Sequence, residues 1–112
     1  MQITYEQFDQ VEIRSGTIIK VEFFKEARKP AYKIWVDFGE ELGIKQSSAQ
    51  ITKHYSEEDL VGKKIAGVMN LGAKKIAGFK SEFLAVGFDD AEGDGVCLIS
   101  VDSKVPNGRK LY

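Results

Sequence analysis

The sequence has 112 residues, the size of one domain, and its hydrophobic fraction of 43% is sufficient for a core. Lysine and arginine number 16 against 17 acidic residues, and the formal net charge of −1 excludes a chain that coats nucleic acid along its whole surface. Cys97 is the single cysteine, which excludes an intrachain disulfide and favours a reducing compartment. No secretory signal opens the chain, and no apolar run approaches the roughly 20 residues of a membrane span. The sequence predicts a cytoplasmic protein without membrane insertion.

Two helical turns and six strands are predicted along the chain. Thr4 and Gln7 have the spacing of a capping box, which predicts a helical turn over residues 4–10. Ser56 caps a second turn, which Gly62 ends. In most of the remaining chain apolar residues recur at every second position, the period of a strand with one buried face. The predicted strands are residues 11–24, with a bend or bulge at Gly16, and residues 32–38, 44–51, 64–71, 82–88 and 96–101.

This order of elements predicts an all-β barrel and not an α/β sheet, because no helix separates the strands regularly. The helical turn after Ser56 lies between the third and fourth strands. A five-stranded Greek-key barrel of the OB type has its helix in the same place. Turns are predicted over residues 25–30, 39–43 and 89–95. We therefore predict a single OB-fold domain over residues 1–112, with N- and C-terminal extensions.

Positive charge is concentrated between residues 61 and 81, a stretch that contains five lysines and no acid. Lys74, Lys75 and Lys80 lie in a Gly-containing connection between two predicted strands. Asn70 and Ser81 add hydrogen-bonding groups at the ends of these strands. The pattern indicates either a binding site for an anionic partner or a solvated face, and charge runs are more often solvated faces.

No group of residues predicts a catalytic or metal centre. His54 is the only histidine, and because no cluster of cysteines or acids at ligand spacing accompanies it we expect it at the surface. The acids of residues 89–94 miss the spacing of a calcium loop and are expected in a solvated turn. Gly67 and Gly72 resemble a phosphate-binding loop only superficially, since Lys74 comes one place late and no Ser or Thr follows it.

Two strands carry more apolar surface than one barrel interior can cover. Residues 64–71 and 83–88 are apolar on both faces, so a helix, a terminal segment or a second subunit must cover the outer face. Trp35 also falls on the outer face of its strand. It could anchor an interface or a ligand, or it could be covered by a helix or by the C-terminal tail. We predict a two-fold homodimer with paired apolar grooves for an extended polypeptide. The terminal residues expected at its interface are Tyr5, Phe8, Leu111 and Tyr112.

Two motifs resemble the tRNA-binding domain family, an OB-fold module found at the end of some methionyl-tRNA synthetases and in related tRNA-binding proteins. Its opening motif is similar to Phe8-x-x-Val11-Glu12-Ile13-Arg14-x-Gly16-Thr17-Ile18. Its motif N-L-x-P-x-K-x-x-G-x-x-S-x-G-M is matched by Asn70, Leu71, Lys75, Gly78 and Ser81.

One branch of this family, the secretion-related chaperones, is more similar still. Residues 38–39, 43–52, 76–82 and 105–108 carry that likeness, and the resemblance covers essentially the whole chain. It implies a homodimer without a cofactor or enzymatic activity, which binds unfolded or presecretory polypeptides. The alternative that it implies is a protein that binds tRNA or another structured RNA.

The sequence departs from the family motif at three positions, with Ala73 for Pro, Phe83 for Gly and Leu84 for Met. The last two border the RNA site in tRNA-binding members, and the bulk of Phe83 favours the chaperone branch. We predict that Asn70, Lys74, Lys75, Lys80, Ser81 and Glu82 bind RNA, and of these Asn70, Lys75 and Ser81 match the family motif. We predict a peptide-binding or dimer surface that comprises Trp35, Phe79, Phe83 and Leu84.

Overall fold

A computed structural model describes all residues from Met1 to Tyr112. The chain forms three short helices and nine strands, and no helix is long and apolar enough to cross a membrane. The helices are α1 (Tyr5–Asp9), α2 (Gly39–Leu42) and α3 (Glu57–Leu60). The strands are β1 (Ile13–Phe23), β2 (Tyr32–Asp37), β3 (Ile44–Ala49), β4 (Lys64–Val68), β5 (Lys74–Ile76), β6 (Phe79–Ser81), β7 (Leu84–Ala85), β8 (Gly87–Asp89) and β9 (Val96–Leu98).

Five antiparallel strands form the barrel, in the order β3-β2-β1-β4-β7, which confirms the predicted OB fold. Strand β1 is 11 residues long and pairs with β4 through its first half and with β2 through its second. The pairing shifts between Ile18 and Lys20, so the irregularity lies beyond the predicted Gly16. Gly16 instead permits close packing, because a Cβ there would lie 2.6 Å from Val36 Cγ1.

The core fills the barrel interior with the inward-facing residues of the predicted alternation. Ile34 and Val36 of β2 and Ile65 of β4 have no exposed surface. Helix α3 lies between β3 and β4 as predicted, and its Leu60 is fully buried in the same core. Ser56 and Asp59 form the capping box that starts this helix, so local sequence and barrel packing agree on its position.

Several predicted boundaries are wrong, because the period of two continues where the pairing partner changes. The strand predicted over residues 64–71 ends at Val68. The strand predicted over residues 82–88 divides, since Leu84 pairs with β4 whereas Gly87 pairs with Leu98 of β9. Residues 39–43, predicted as a turn, contain the single turn of α2.

The basic connection between β4 and β7 forms its own hairpin, β5–β6. Ala77 and Gly78 connect the two strands, with φ angles of 47° and 81°. Positive φ at both positions is required by the type I′ turn of a two-residue hairpin. Alanine rarely adopts this conformation, which costs an L-residue about 1–2 kcal/mol. The turn of the hairpin therefore adopts a backbone conformation that Ala77 disfavours.

A second hairpin, β8–β9, is fastened to the segment that follows β3. The Asp90 carboxylate lies 2.7 Å from His54 Nε2 and 3.1 Å from Lys53 Nζ. Asp94 also pairs with Lys53, and the Leu98 amide donates to the Tyr55 hydroxyl at 2.9 Å. His54 is at the surface as predicted, but the acidic turn is ion-paired and not merely solvated. Hydrogen bonds from His54, and then from Lys53, hold the pKa of Asp90 far below its ordinary value.

The substitution Asp90→Asn removes this charge at nearly constant side-chain shape. Because the folded-state pKa of Asp90 lies below its ordinary value of 3.8, the charge stabilises the fold above that pH and the contribution is lost as pH falls. We expect the variant to be less stable than the wild type at neutral pH, with a difference that shrinks from about pH 5 to about pH 3. Urea unfolding measures the difference, and Asp89→Asn is the control. A constant difference across this range would contradict the role.

Candidate functional site

The β5–β6 hairpin has one face against the barrel and one face in solvent. Its register pairs Lys75 with Lys80 and Ile76 with Phe79. Ile76 and Phe79 are half-buried, whereas both lysines are exposed. Directly opposed like charges destabilise a hairpin, so the lysine pair is not there for stability. The hairpin therefore separates an apolar inner face from a basic outer face.

The inner face of the hairpin covers Trp35. The sequence had suggested a helix or the C-terminal tail as the cover. The Phe79 ring packs edge-on against Trp35 and Phe24, with centroid distances of 5.8 and 5.5 Å. Lys33 Nζ lies over the Phe24 and Phe79 rings at 4.9 and 5.0 Å, and Lys20 Nζ lies 4.7 Å from the Trp35 ring. Trp35 and Phe79, both predicted at a binding surface, thus contact each other and are half-buried.

Two of the predicted RNA-binding residues bind the β3 edge instead. Ser81 Oγ accepts the Ser48 amide at 2.9 Å, and Glu82 Oε1 accepts the Gln46 amide at 3.1 Å. The Glu82 amide donates to the Gln46 carbonyl at 2.8 Å. These side chains occupy backbone groups that a neighbouring strand would otherwise pair. The sequence predicted polar groups at the right positions but gave no signal that β3 was their partner.

Asn70, also predicted to bind RNA, fastens the N-terminal segment. Its Oδ1 accepts the Glu12 amide at 2.9 Å, and its Nδ2 donates to the Gln10 carbonyl at 2.7 Å. Glu12 also pairs with Arg14 at 2.6 Å and with Lys110 at 3.1 Å. Hydrogen bonds from Arg14 and then Lys110 lower the pKa of the Glu12 carboxyl. Asn70 therefore has a structural use that the motif did not indicate.

The three hairpin lysines remain available to an anionic partner. Lys74, Lys75 and Lys80 are exposed, and none of them forms an ion pair. The structure thus brings these three predicted residues together on one hairpin, while Asn70 and Ser81 are engaged within the fold.

Phe83 was predicted at a binding surface, and this prediction is wrong. The side chain is 6% exposed and belongs to the barrel core. Its ring packs against Phe38 at a centroid distance of 5.0 Å. A Cβ on Gly67 would lie 3.0 Å from both rings, so the core is tight at this point. Phe83 therefore contributes to the interior, whereas its neighbour Leu84 is 51% exposed as predicted.

Leu84 lines a groove of about 710 Å³, within the range of ligand-binding clefts. The β1–β2 loop, the end of β3 and the tip of the β5–β6 hairpin form this groove together with β7 and β9. Sequence reasoning missed most of it, since its apolar residues fit the same alternation as core residues. The apolar side chains that define the groove are Phe24, Ala49, Ile51, Ile76, Leu84 and Val96.

A second cavity, of about 490 Å³, lies beside the C-terminal segment. Its apolar lining includes Val101 and Leu111, and its cations include Arg14 and Arg109. Helix α1 buries none of its residues. No group of three His, Cys, Asp or Glu side chains could hold a metal ion.

Comparison with known proteins agrees with this architecture. Residues 13–110 match the family model described as "Putative tRNA binding domain". Chaperone CsaA from Bacillus anthracis has a TM-score of 0.91 and 46% identity, with 100% of both chains covered. CsaA from Picrophilus torridus has a TM-score of 0.91 and 45% identity, over 99% of this chain and 100% of that one.

A curated relative, the methionine–tRNA ligase of Bacillus subtilis, is 36% identical over 111 residues. The alignment covers 98% of this chain, which spans only 16% of the length of that relative. The match to the synthetase is thus confined to one domain of it. The family match over residues 13–110 and the full-length likeness to the CsaA structures show that this chain belongs to the tRNA-binding domain family.

Proposed function

We propose that this protein is a CsaA-like molecular chaperone, which binds unfolded or presecretory polypeptides during protein export. The observation that carries the proposal is the open apolar groove beside Leu84. Burial of apolar surface is the main driving force for binding polypeptides that have not yet folded. The likeness of the whole chain to CsaA structures supports the same function. We propose no enzymatic activity for this protein, and we expect it in the cytoplasm.

Assembly as a two-fold homodimer would present two such grooves to one long client and increase avidity. The exposed apolar groups at the chain ends support an interface there: Tyr5 is 66% exposed and Tyr112 is 98% exposed. We expect a dimer at micromolar concentration in light scattering across a dilution series, and a monomer would exclude this assembly.

Deletion of residues 109–112 tests whether the C-terminal tail contributes to the dimer and to client protection. The tail has no part in the mechanism if that variant stays dimeric and protects clients normally.

The groove is tested with Leu84→Ser, which leaves the barrel core intact because this side chain is half exposed. A half-buried leucine contact is worth about 1 kcal/mol, so we expect about fivefold weaker binding of an apolar peptide. Protection of a chemically denatured client from aggregation should decrease in parallel. Phe88→Ser is the control, because Phe88 is 70% exposed and lies outside the groove. Wild-type protection by both variants would reject the groove.

A second function, binding of tRNA or another structured RNA, is favoured by the unpaired lysines of the β5–β6 hairpin. Lys75 and Lys80 lie opposite each other on the outer face, and phosphate groups would relieve their mutual repulsion. Lys74 pairs with Ser81 at the open end of the hairpin and is also exposed. The family match supports this alternative. Peptide and RNA would use opposite faces of one hairpin, so the two functions are compatible on this fold.

Lys75→Ala should weaken RNA binding by about threefold for every sequence and reduce the salt slope by about 1, because it removes one phosphate contact. Lys104→Ala, an exposed lysine outside the hairpin, is the matched control. Binding of bulk tRNA at two salt concentrations measures both quantities. Equal binding by the wild type and a triple alanine variant of Lys74, Lys75 and Lys80 would exclude this surface. Asn70→Ala is expected to act through the N-terminal segment instead, because its amide is already bonded to that segment.

A further inference from the structure

We infer that the groove takes its client as an extended strand added to the open edge of β3, and that it prefers apolar segments flanked by acidic residues. This inference rests on the proposed chaperone function and names the client chemistry of the same groove. It depends on three features: an incomplete barrel seam, the direction of backbone groups beside it, and unpaired cations on the rim.

The barrel is not closed by a ladder between its last two strands. Strands β3 and β7 stand at the two ends of the strand order, and hydrogen-bonded pairing joins each of them only to β2 or β4. Side chains bridge the part of the seam at Ser47 and Ser48 of β3. Ser47 Oγ donates to the Phe83 carbonyl at 2.7 Å, and Ser81 Oγ accepts the Ser48 amide. Beyond this point the seam opens into the groove, where Gln50 and Ala85 are on its walls.

Backbone groups on both walls are directed into the groove. Gln46 and Ser48 use their amides away from β2, and alternate residues of a strand share one direction. Gln50, the first residue after β3, continues the same parity and lines the groove. On the opposite wall Leu84 pairs with β4, so the amide and carbonyl of Ala85 point away from β4. An extended polypeptide matches such an edge with main-chain hydrogen bonds and places alternate side chains in the apolar cleft.

The rim of the groove is positively charged. Arg28 and Lys29 line it, and Lys33 lies over the Phe24 ring that forms part of its floor. None of these three cations forms an ion pair, and Glu26 is the one acid on the rim. A client with acids beside its apolar segment complements this field, whereas a client flanked by lysine opposes it.

Backbone-methylated peptides test the strand geometry. The probe is an eight-residue peptide of alternating valine and threonine, labelled with fluorescein and measured by anisotropy. In one version the amides of all valines are N-methylated, and in the other those of all threonines. Only one set of amides faces the β3 side, where most of the proposed pairing lies, so we expect that version to bind at least tenfold more weakly. The other set faces the wall at Ala85, so we expect that version to lose clearly less affinity. Equal loss in both versions, or none in either, would overturn the strand geometry.

The same peptide flanked by two glutamates or by two lysines tests the charge preference. Exposed ion pairs supply roughly a threefold to tenfold preference for the acidic version, which should decrease at high salt. Arg28→Glu should reverse the preference, and Lys104→Glu, which does not line the groove, should preserve it. Equal affinity for both peptides would overturn the inference. If denatured clients are still protected in that case, the chaperone proposal stands, whereas loss of client and peptide binding together would reject both.

Discussion

The seam between β3 and β7 is the constraint on which the binding surfaces of this protein depend. A barrel closed by a complete ladder would have no free edge. Here one backbone bond and five side-chain bonds hold the part of the seam at Gln46, Ser47 and Ser48. The remainder diverges into the apolar groove. The fold thus retains a complete core while one edge stays partly unpaired, and such an edge can pair with an added strand.

The β5–β6 hairpin contributes to both candidate binding surfaces. Its inner face covers Trp35 with Phe79 and forms one wall of the groove through Ile76. Its outer face presents Lys75 and Lys80 to solvent. Residues that alternate along a strand point to opposite sides, so one short hairpin provides both an apolar wall and a basic surface. A polypeptide and an RNA would therefore contact different faces of the same element.

Residues of the family motif stabilise the fold, in addition to any role in binding. Asn70 connects the end of β4 to the segment at Gln10 and Glu12, and Ser81 connects the hairpin to β3. Both residues hold flanking segments at fixed positions around the barrel. Phe83 stands where the motif has glycine, and its ring packs against Phe38 in the core. The departure from the motif thus changes the interior, and exposed Leu84 is the changed residue that reaches the groove.

The sequence by itself determined the class of fold, the order of its main strands and the position of α3. These features depend on local period and capping, as the boxes at Thr4 and Ser56 show. It also determined that lysines would cluster between residues 61 and 81. Only the tertiary structure decided which polar side chains were free, because hydrogen bonds such as that between Ser81 and Ser48 join residues 33 positions apart. Alternation likewise cannot separate core residues from groove residues such as Ile76, since both are apolar and the distinction depends on which strand stands opposite.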